Sequence, residues 1–470
     1  MNRAITAAFG IALVAGSSAR ANEIHVPGDY FTVTAGVANA TAGDTVVIAA
    51  GFYPENVVVG KNLTIRGAGT GSTIMEGQGL DSVFTVVSGA DVTFEDLTIQ
   101  NGGGPGTDRG GAIKALDSGA VVIVRNCELT DNHTSCCGGG LYINAGTLTM
   151  EDTTVSGNSA GSGGGLYLNS SNATLTNVSF LSNSATASGG GLRHYTGSLT
   201  IDACTFIGNT SDTYGGAAIL EQSGVKSVRD SWFESNTAAR GGAIWAGSTS
   251  DLVNSVFVDN TASQYGGAIF SGGDLDAMNC TFSGNTADVG AGDTFESPAG
   301  TSTELLNCVV VNAAAASKSG GGAFVVHNSI IPEGPSGTPD ANGNLSDDPM
   351  FANAASGDFH LLAGSPAIDS GDSLGSLGGT LLVTDYAADF DGNDRNLDDP
   401  ATPNTGVPAW ALNIDMGAFE FQPAGGANPC IADTTTTGAA IGDPGYGVPD
   451  GMVTTADIQY YVNAFVAGCP

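Results

Sequence analysis

A glycine pair returns along this chain at a nearly constant step. Its second member falls at Gly111, Gly140, Gly165, Gly191, Gly216, Gly242 and Gly267, at intervals of 29, 25, 26, 25, 26 and 25 residues. A Gly-Ala-Gly at 290–292 and a pair ending at Gly322 continue it more weakly. An asparagine recurs in phase, at Asn132, Asn158, Asn183, Asn209, Asn236, Asn260, Asn285 and Asn312. Three residues before each stands an apolar side chain: Leu129, Val155, Phe180, Phe206, Phe233, Phe257, Phe282 and Val309. The unit is Phe-x-x-Asn-Ser/Thr, a small polar spacer, Gly-Gly-Ala/Leu, a short apolar strand, a turn and a second strand.

A period of about 25 residues without a helix-length amphipathic stretch excludes helical repeats. Glycine, at 71 of 470 residues, lacks the Gly-X-Y period of collagen, and 41% hydrophobic content opposes disorder. The pattern predicts an all-β fold, a right-handed parallel β-helix, in which each coil needs neighbours to bury its apolar face. Coils about 4.8 Å apart place equivalent side chains on one another. Phenylalanines then stack as core, and asparagines form an amide ladder at a turn.

The eight cysteines divide in the same frame. Cys127, Cys204 and Cys280 lie two residues before the apolar position, with Thr153, Val178, Ser231 and Ser255 between them; Cys308 falls one place off. A column of small residues reads as interior packing, with Cys280–Cys308 a candidate bridge between coils. Vicinal Cys136 and Cys137 form either a local bridge or two separate ones. No pair has zinc-site spacing.

The chain before Gly110 reads as the start of the same helix. Thr32–Ala42 suits a short helix capping the first coil, whose strand edges need cover. The segment GDTVVIAAGFYPENVVVGKNLTIRGAG resembles the opening of pectate-lyase-like β-helix proteins. The repeats, with GGAI at 110–113, 241–244 and 266–269, resemble those of polymorphic outer membrane proteins. The resemblance covers about residues 23–331 and implies fold more than activity.

Other segments frame this body. Arg3, the apolar run Ile5–Ala15 and Ala19-Arg20-Ala21 read as a secretory signal over residues 1–21, so the β-helix is expected over 22–331. That apolar run is too short to span a membrane. From 332 to 421 the period breaks. DDPMF, GDFHLLAGSPAIDSGD, DFDGNDRN and NIDMGAFEF follow in an order that resembles the choice-of-anchor Q domain, and the segment is expected to close the C-terminal end of the helix. Residues 422–429 read as a linker. Residues 430–470 resemble half of a GC-type dockerin, an α module expected to be closed by a Cys430–Cys469 disulfide and to attach the protein to a surface partner.

Net charge is −34, which repels nucleic acid, anionic lipid and pectin-like polyanions. Calcium is the cofactor the sequence admits. Asp389, Asp391 and Asp394 are compact enough to be ligands, and Asp450 and Asp457 match positions five and twelve of the dockerin-like loop. Asp369 and Asp415 are further carboxylates in reach of such a site. Asx turns explain the compact run equally well. Basic residues of the coils show no common column. The irregular coil at Arg193-His194-Tyr195 replaces a Leu-Tyr-Leu strand, and Tyr142 and Tyr167 precede Arg193 in its column. An aromatic and basic row of this kind suits sugar rings. The sequence therefore points to an exported, secreted or cell-surface, non-catalytic protein for adhesion, glycan binding or surface scaffolding, attached through its C-terminal module, with a polysaccharide or a surface protein as partner. Its alternative is a polysaccharide lyase or glycoside hydrolase.

Overall fold

The computed structural model describes residues 21–422, apart from 105–107, 221–225, 289–293, 312–317, 334–335, 337–338, 378–380, 396, 400, 403–404 and 407–413. Cys430, Cys469, Asp450, Asp457, Asn312 and nearly all of the signal segment lie outside the described residues, as does the dockerin-like module.

The body is a parallel β-solenoid. Among the described residues its strands form sheets of 22, 11 and 6 strands. Each coil gives the largest sheet two strands, such as Val121–Arg125 and Glu128–Thr130. The bend between them has positive φ at Asp96, Asn126, Asp152, Asn177, Ala203, Asp230, Asn254, Asn279 and Asn307. Asn and Asp tolerate that left-handed conformation best among residues with a Cβ. The same side chains join coils, since Asn177 Nδ2 donates to Asp152 Oδ1 at 2.7 Å and Asn254 Nδ2 to Asp230 Oδ1 at 3.1 Å. This second ladder immediately precedes the cysteine column.

The expected asparagine ladder runs through the corner between sheets. Each Nδ2 from Asn132 to Asn260 donates to the Oδ1 of the next coil at 2.9–3.0 Å. Asn209 also donates to Phe180 O at 2.9 Å, and its Oδ1 accepts from Asn183 N at 3.0 Å. The buried amide thus satisfies main-chain groups that the turn leaves unpaired. Beside it, Phe180, Phe206, Phe233, Phe257 and Phe282 stack with ring centroids 4.4–4.9 Å apart. Each such buried ring contributes roughly 1.5–3 kcal/mol. The glycine pairs are steric necessities. A Cβ on Gly190 would lie 2.4 Å from Thr210 O and 2.5 Å from Gly216 O, and Gly189 has φ +69°.

Register corrects two expectations. Phe282 pairs with Val310, not Val309, which faces outward beneath the C-terminal segment. Thr281 pairs with Val309, so Cys280 and Cys308 share one rung, yet both are free thiols rather than a bridge. Cys136 and Cys137 do form a local disulfide.

The N-terminal cap is a helix over Val33–Asn39. Thr32 Oγ1 accepts from Ala35 N at 3.1 Å. The coil it covers caps both ends. Glu55 accepts from Val33 N and Thr34 N at 2.9 Å, and Lys61 Nζ donates to Ala38 O and Ala40 O at 2.8 and 2.7 Å. Each charge sits at the helix end whose dipole favours it.

The start of the C-terminal segment adds to the last coil, and most of its described remainder lies on the side of the helix. Parallel bridging continues through Ile330 to Leu345. The chain then folds back along the outer face of the largest sheet. Leu377, Leu381, Val383 and Ile414 cover Val253, Met278 and Leu306. Phe359, Ala418 and Phe419 cover Val256 and Val258, with Trp232 packed against them. The reason lies in the coils. Outward positions held by Glu128, Thr154, Ser179 and Thr205 become Trp232 and Val256 in the same column, and that apolar stripe needs cover.

Replacing Asn209 by Ala leaves Asn183 N and Asn183 Nδ2 without their acceptor. It should cost at least about 2 kcal/mol. Denaturant unfolding of the variant checks this, and a loss below about 0.5 kcal/mol would show that the ladder is not a stabilising element.

Candidate functional site

One outward column of the second sheet brings the candidate residues together through its register. Lys114 pairs with Tyr142, Tyr142 with Tyr167, and Tyr167 with Arg193. The two tyrosine rings stack with centroids 5.5 Å apart. Arg109 lies over Tyr142 at 5.3 Å and Arg193 over Tyr167 at 5.2 Å, so a guanidinium closes the ring pair at each end. Arg193 Nη1 also donates to Ser162 Oγ at 3.0 Å. Tyr142 is nearly covered, whereas Tyr167, Arg193 and Lys114 are half-buried.

His194 does not share this face. It points inward, fully buried, with Nε2 2.8 Å from Ser171 O. Alternation along a strand forces this, because neighbours in a strand project to opposite sides. Burial, reinforced by Lys226 nearby, pulls its imidazole down to about 4. It is neutral and inaccessible, which removes it from the candidate ligands. Tyr195 lies one residue beyond the strand, outside the column.

The basic residues do not share one column on neighbouring coils, but four of them lie on this face. A ladder beside the column pairs Arg109 with Cys137, then runs through Ser162, Ser188 and Tyr214 to Arg240 and Tyr265. Lys114 and Arg193 stand in the column itself. The column also continues through Ile219 to Trp245 and Phe270. Sequence reasoning missed this continuation. Its signal was an aromatic residue two places after the glycine-pair alanine, in Ala243-Ile244-Trp245 and Ala268-Ile269-Phe270.

The acidic run of the C-terminal segment is a hydrogen-bonded turn. Asp389 Oδ1 accepts from Asp391 N and Asn393 N at 3.0 and 2.7 Å, and Oδ2 accepts from Glu420 N at 2.9 Å. Asp391 Oδ2 meets His360 Nε2 at 2.6 Å, and Asp394 is exposed. Asp369 and Asp415 are buried, with Asp415 Oδ1 accepting from Asp369 N at 2.8 Å. Among the described residues no group of His, Cys, Asp or Glu is arranged to hold a metal ion.

A separate feature is a stack of carboxylates on the largest sheet. Asp251 pairs with Asp276, and Asp276 with Glu304. Like charges directly opposite destabilise a sheet. Burial, together with Glu304, Asp251 and Asp274, pushes Asp276 up to about 6. Cys127 and Cys204 offer no nucleophile, since burial pushes both thiols up to about 12.

Comparison with known proteins agrees with the winding. Residues 60–262 match the family described as right handed beta helix region, and residues 254–272 match the Chlamydia polymorphic membrane protein repeat. The coils wind as a right-handed parallel β-helix, and the stretch 254–272 is similar to that repeat. Over 84 residues, 17% of the chain, it is 38% identical to metabotropic glutamate receptor-like protein P of Dictyostelium discoideum, and spans 6% of that protein's length. Among solved structures it is similar to pectate lyase Pel9A, with 14% identity, 85% and 96% of the two chains covered, and a TM-score of 0.40. A pectin methylesterase from Yersinia enterocolitica is similar at 11% identity, 62% and 91% coverage, and a TM-score of 0.24. These likenesses say nothing of activity. No helix among the described residues is long and apolar enough to cross a membrane.

Two pH effects follow. An unfolded imidazole, near 6.5, binds a proton that folded His194 refuses until about pH 4, so stability falls as pH drops through that interval. His194→Leu should flatten this part of the stability profile measured by thermal unfolding; an unchanged profile would place the imidazole in water. Asp276 acts with the opposite sign. Its folded carboxyl, at about 6, binds a proton before the unfolded one at 3.8, so its ionisation weakens the fold above about pH 6. Asp276→Asn should raise the melting temperature at pH 7 and lose that advantage near pH 4. A lowered melting temperature at pH 7 would contradict the repulsion.

Proposed function

We propose that this protein is an exported, non-catalytic β-helix that binds glycan chains on its second sheet and is attached at a cell surface through its C-terminal module. The observation that carries the binding reading is the outward row Lys114, Tyr142, Tyr167 and Arg193, with arginines laid on the tyrosine rings. Aromatic side chains offer apolar surface to sugar C–H groups, and arginine offers several donors to hydroxyl oxygens. Attachment rests on the dockerin-like sequence of residues 430–470. Export rests on the signal-like start of the chain, and the polymorphic-membrane-protein-like repeats fit a surface or secreted location.

The alternative is a polysaccharide lyase or glycoside hydrolase. A hydrolase needs two carboxylates facing the bound chain. Among the described residues the extended column holds one, Glu296, which is hydrogen-bonded to Ser319. A lyase would need a free base, and Arg193 is engaged by Tyr167 and Ser162.

The exported full-length protein should retain binding to at least one immobilised polysaccharide. Tyr167→Ala and Arg193→Ala should each weaken that binding about tenfold, a difference of about 1.4 kcal/mol. Bound polysaccharide should release neither new reducing ends nor unsaturated products. Release that disappears in Arg193→Ala would establish the enzyme instead.

A further inference from the structure

A second aromatic cluster lies farther along the same face. Trp245 and Phe270 continue the column, and Tyr214, Arg240 and Tyr265 continue the ladder beside it. The Arg240 guanidinium stands among three rings, 5.8 Å from Tyr214, 5.6 Å from Tyr265 and 5.8 Å from Phe270. Tyr214 and Trp245 are 5.6 Å apart, and Trp245 stacks on Phe270 at 6.3 Å. Tyr214 is 37% exposed, and the other four are half-buried.

Arg240 is unusual in so acidic a chain. Its Nε donates to Gln264 Oε1 at 3.1 Å, and no carboxylate among the described residues lies within ion-pair distance of it. Aromatic rings surround its charge, and its remaining donors are left for the oxygen acceptors of a ligand. A net charge of −34 opposes the approach of a polyanion to the molecule.

We infer that the cluster of Tyr214, Trp245, Arg240, Tyr265 and Phe270 is a second glycan subsite, and that the ligand is a linear, uncharged polysaccharide lying along the helix axis across both clusters. This rests on the glycan-binding reading proposed above and names its ligand class and direction. The direction follows from the register. Tyr142 and Phe270 stand in one column, five strand steps apart, a span of roughly 24 Å at about 4.8 Å per step. A chain lying across the coils would meet one cluster only. A chain lying along the axis meets both, and linked contacts multiply affinity through effective concentration.

The test uses the exported full-length protein on two panels. Neutral chains are cellulose-, xylan-, mannan- and β-1,3-glucan-derived oligosaccharides; acidic chains are polygalacturonate and alginate. Length runs from disaccharide to octasaccharide. Neutral chains should bind, with affinity still climbing at the longest lengths. Trp245→Ala should lower long-chain affinity about tenfold and abolish the dependence on length beyond the short oligomers, as should Tyr167→Ala. Quenching of Trp245 fluorescence by the bound chain, absent in Trp245→Phe, reads occupancy directly and does not depend on the alanine variant folding. Preferential binding of acidic chains would overturn the uncharged class. Affinity that saturates at the disaccharide, or an unaltered Trp245, would overturn the second subsite. Either result leaves glycan binding itself standing. Binding to no chain on either panel would remove both readings.

Discussion

Everything in this molecule depends on the hydrogen-bonded register between successive coils. The asparagine ladder shows how tightly that register is held. Each buried amide donates to the next coil and accepts from the previous one, so Asn209 ties Asn183 and Phe180 to Asn236. A slip of one residue would orphan several buried polar groups at once and turn every apolar side chain of that strand outward. The phenylalanine stack has the same requirement, because ring planes 3° apart at 4.4–4.8 Å exist only when coils are in phase.

The same constraint builds the surface. Residues more than a hundred positions apart, such as Tyr142 and Phe270, stand in one row because each coil repeats the geometry of the last. Several of the scarce cations gather there. Of 13 Lys and Arg, Arg109, Lys114, Arg193 and Arg240 line this face, in the column or the ladder beside it. Lys61 caps the first helix, and Lys226 and Arg395 are buried. Arginine laid on an aromatic ring shields its charge while keeping donors toward solvent.

The folded-back segment from Leu345 onward answers a different demand. Its underside covers the apolar stripe that begins at Trp232. Its interior holds Asp369, Asp389, Asp415 and Glu420, with Arg395 among them. Arg395 Nη2 donates to Gly417 O and Ala418 O, and Nη1 lies 3.7 Å from Glu420. Burial pushes Asp369 and Asp415 up to about 7 and Glu420 well above its ordinary range. The asparagine-lined helix and this carboxylate-rich cover therefore respond differently to pH, although they share one apolar interface.

The repeat by itself determined the β-helix, the asparagine and phenylalanine columns and the interior cysteines, because each depends on local periodicity and on side chains meeting their own equivalents. The column of Tyr142, Tyr167 and Arg193 was legible for the same reason. Tertiary structure decided what depends on residues outside the period. Strand alternation set the direction of His194, and tertiary structure supplied the partners from other coils that bury it. Tertiary structure also brought Arg240 beside the column through a short third sheet whose register shifts by a residue, and Arg109 through isolated bridges that extend that ladder. It laid most of the described C-terminal segment along the flank, because an apolar surface needing cover lay on the side of the helix.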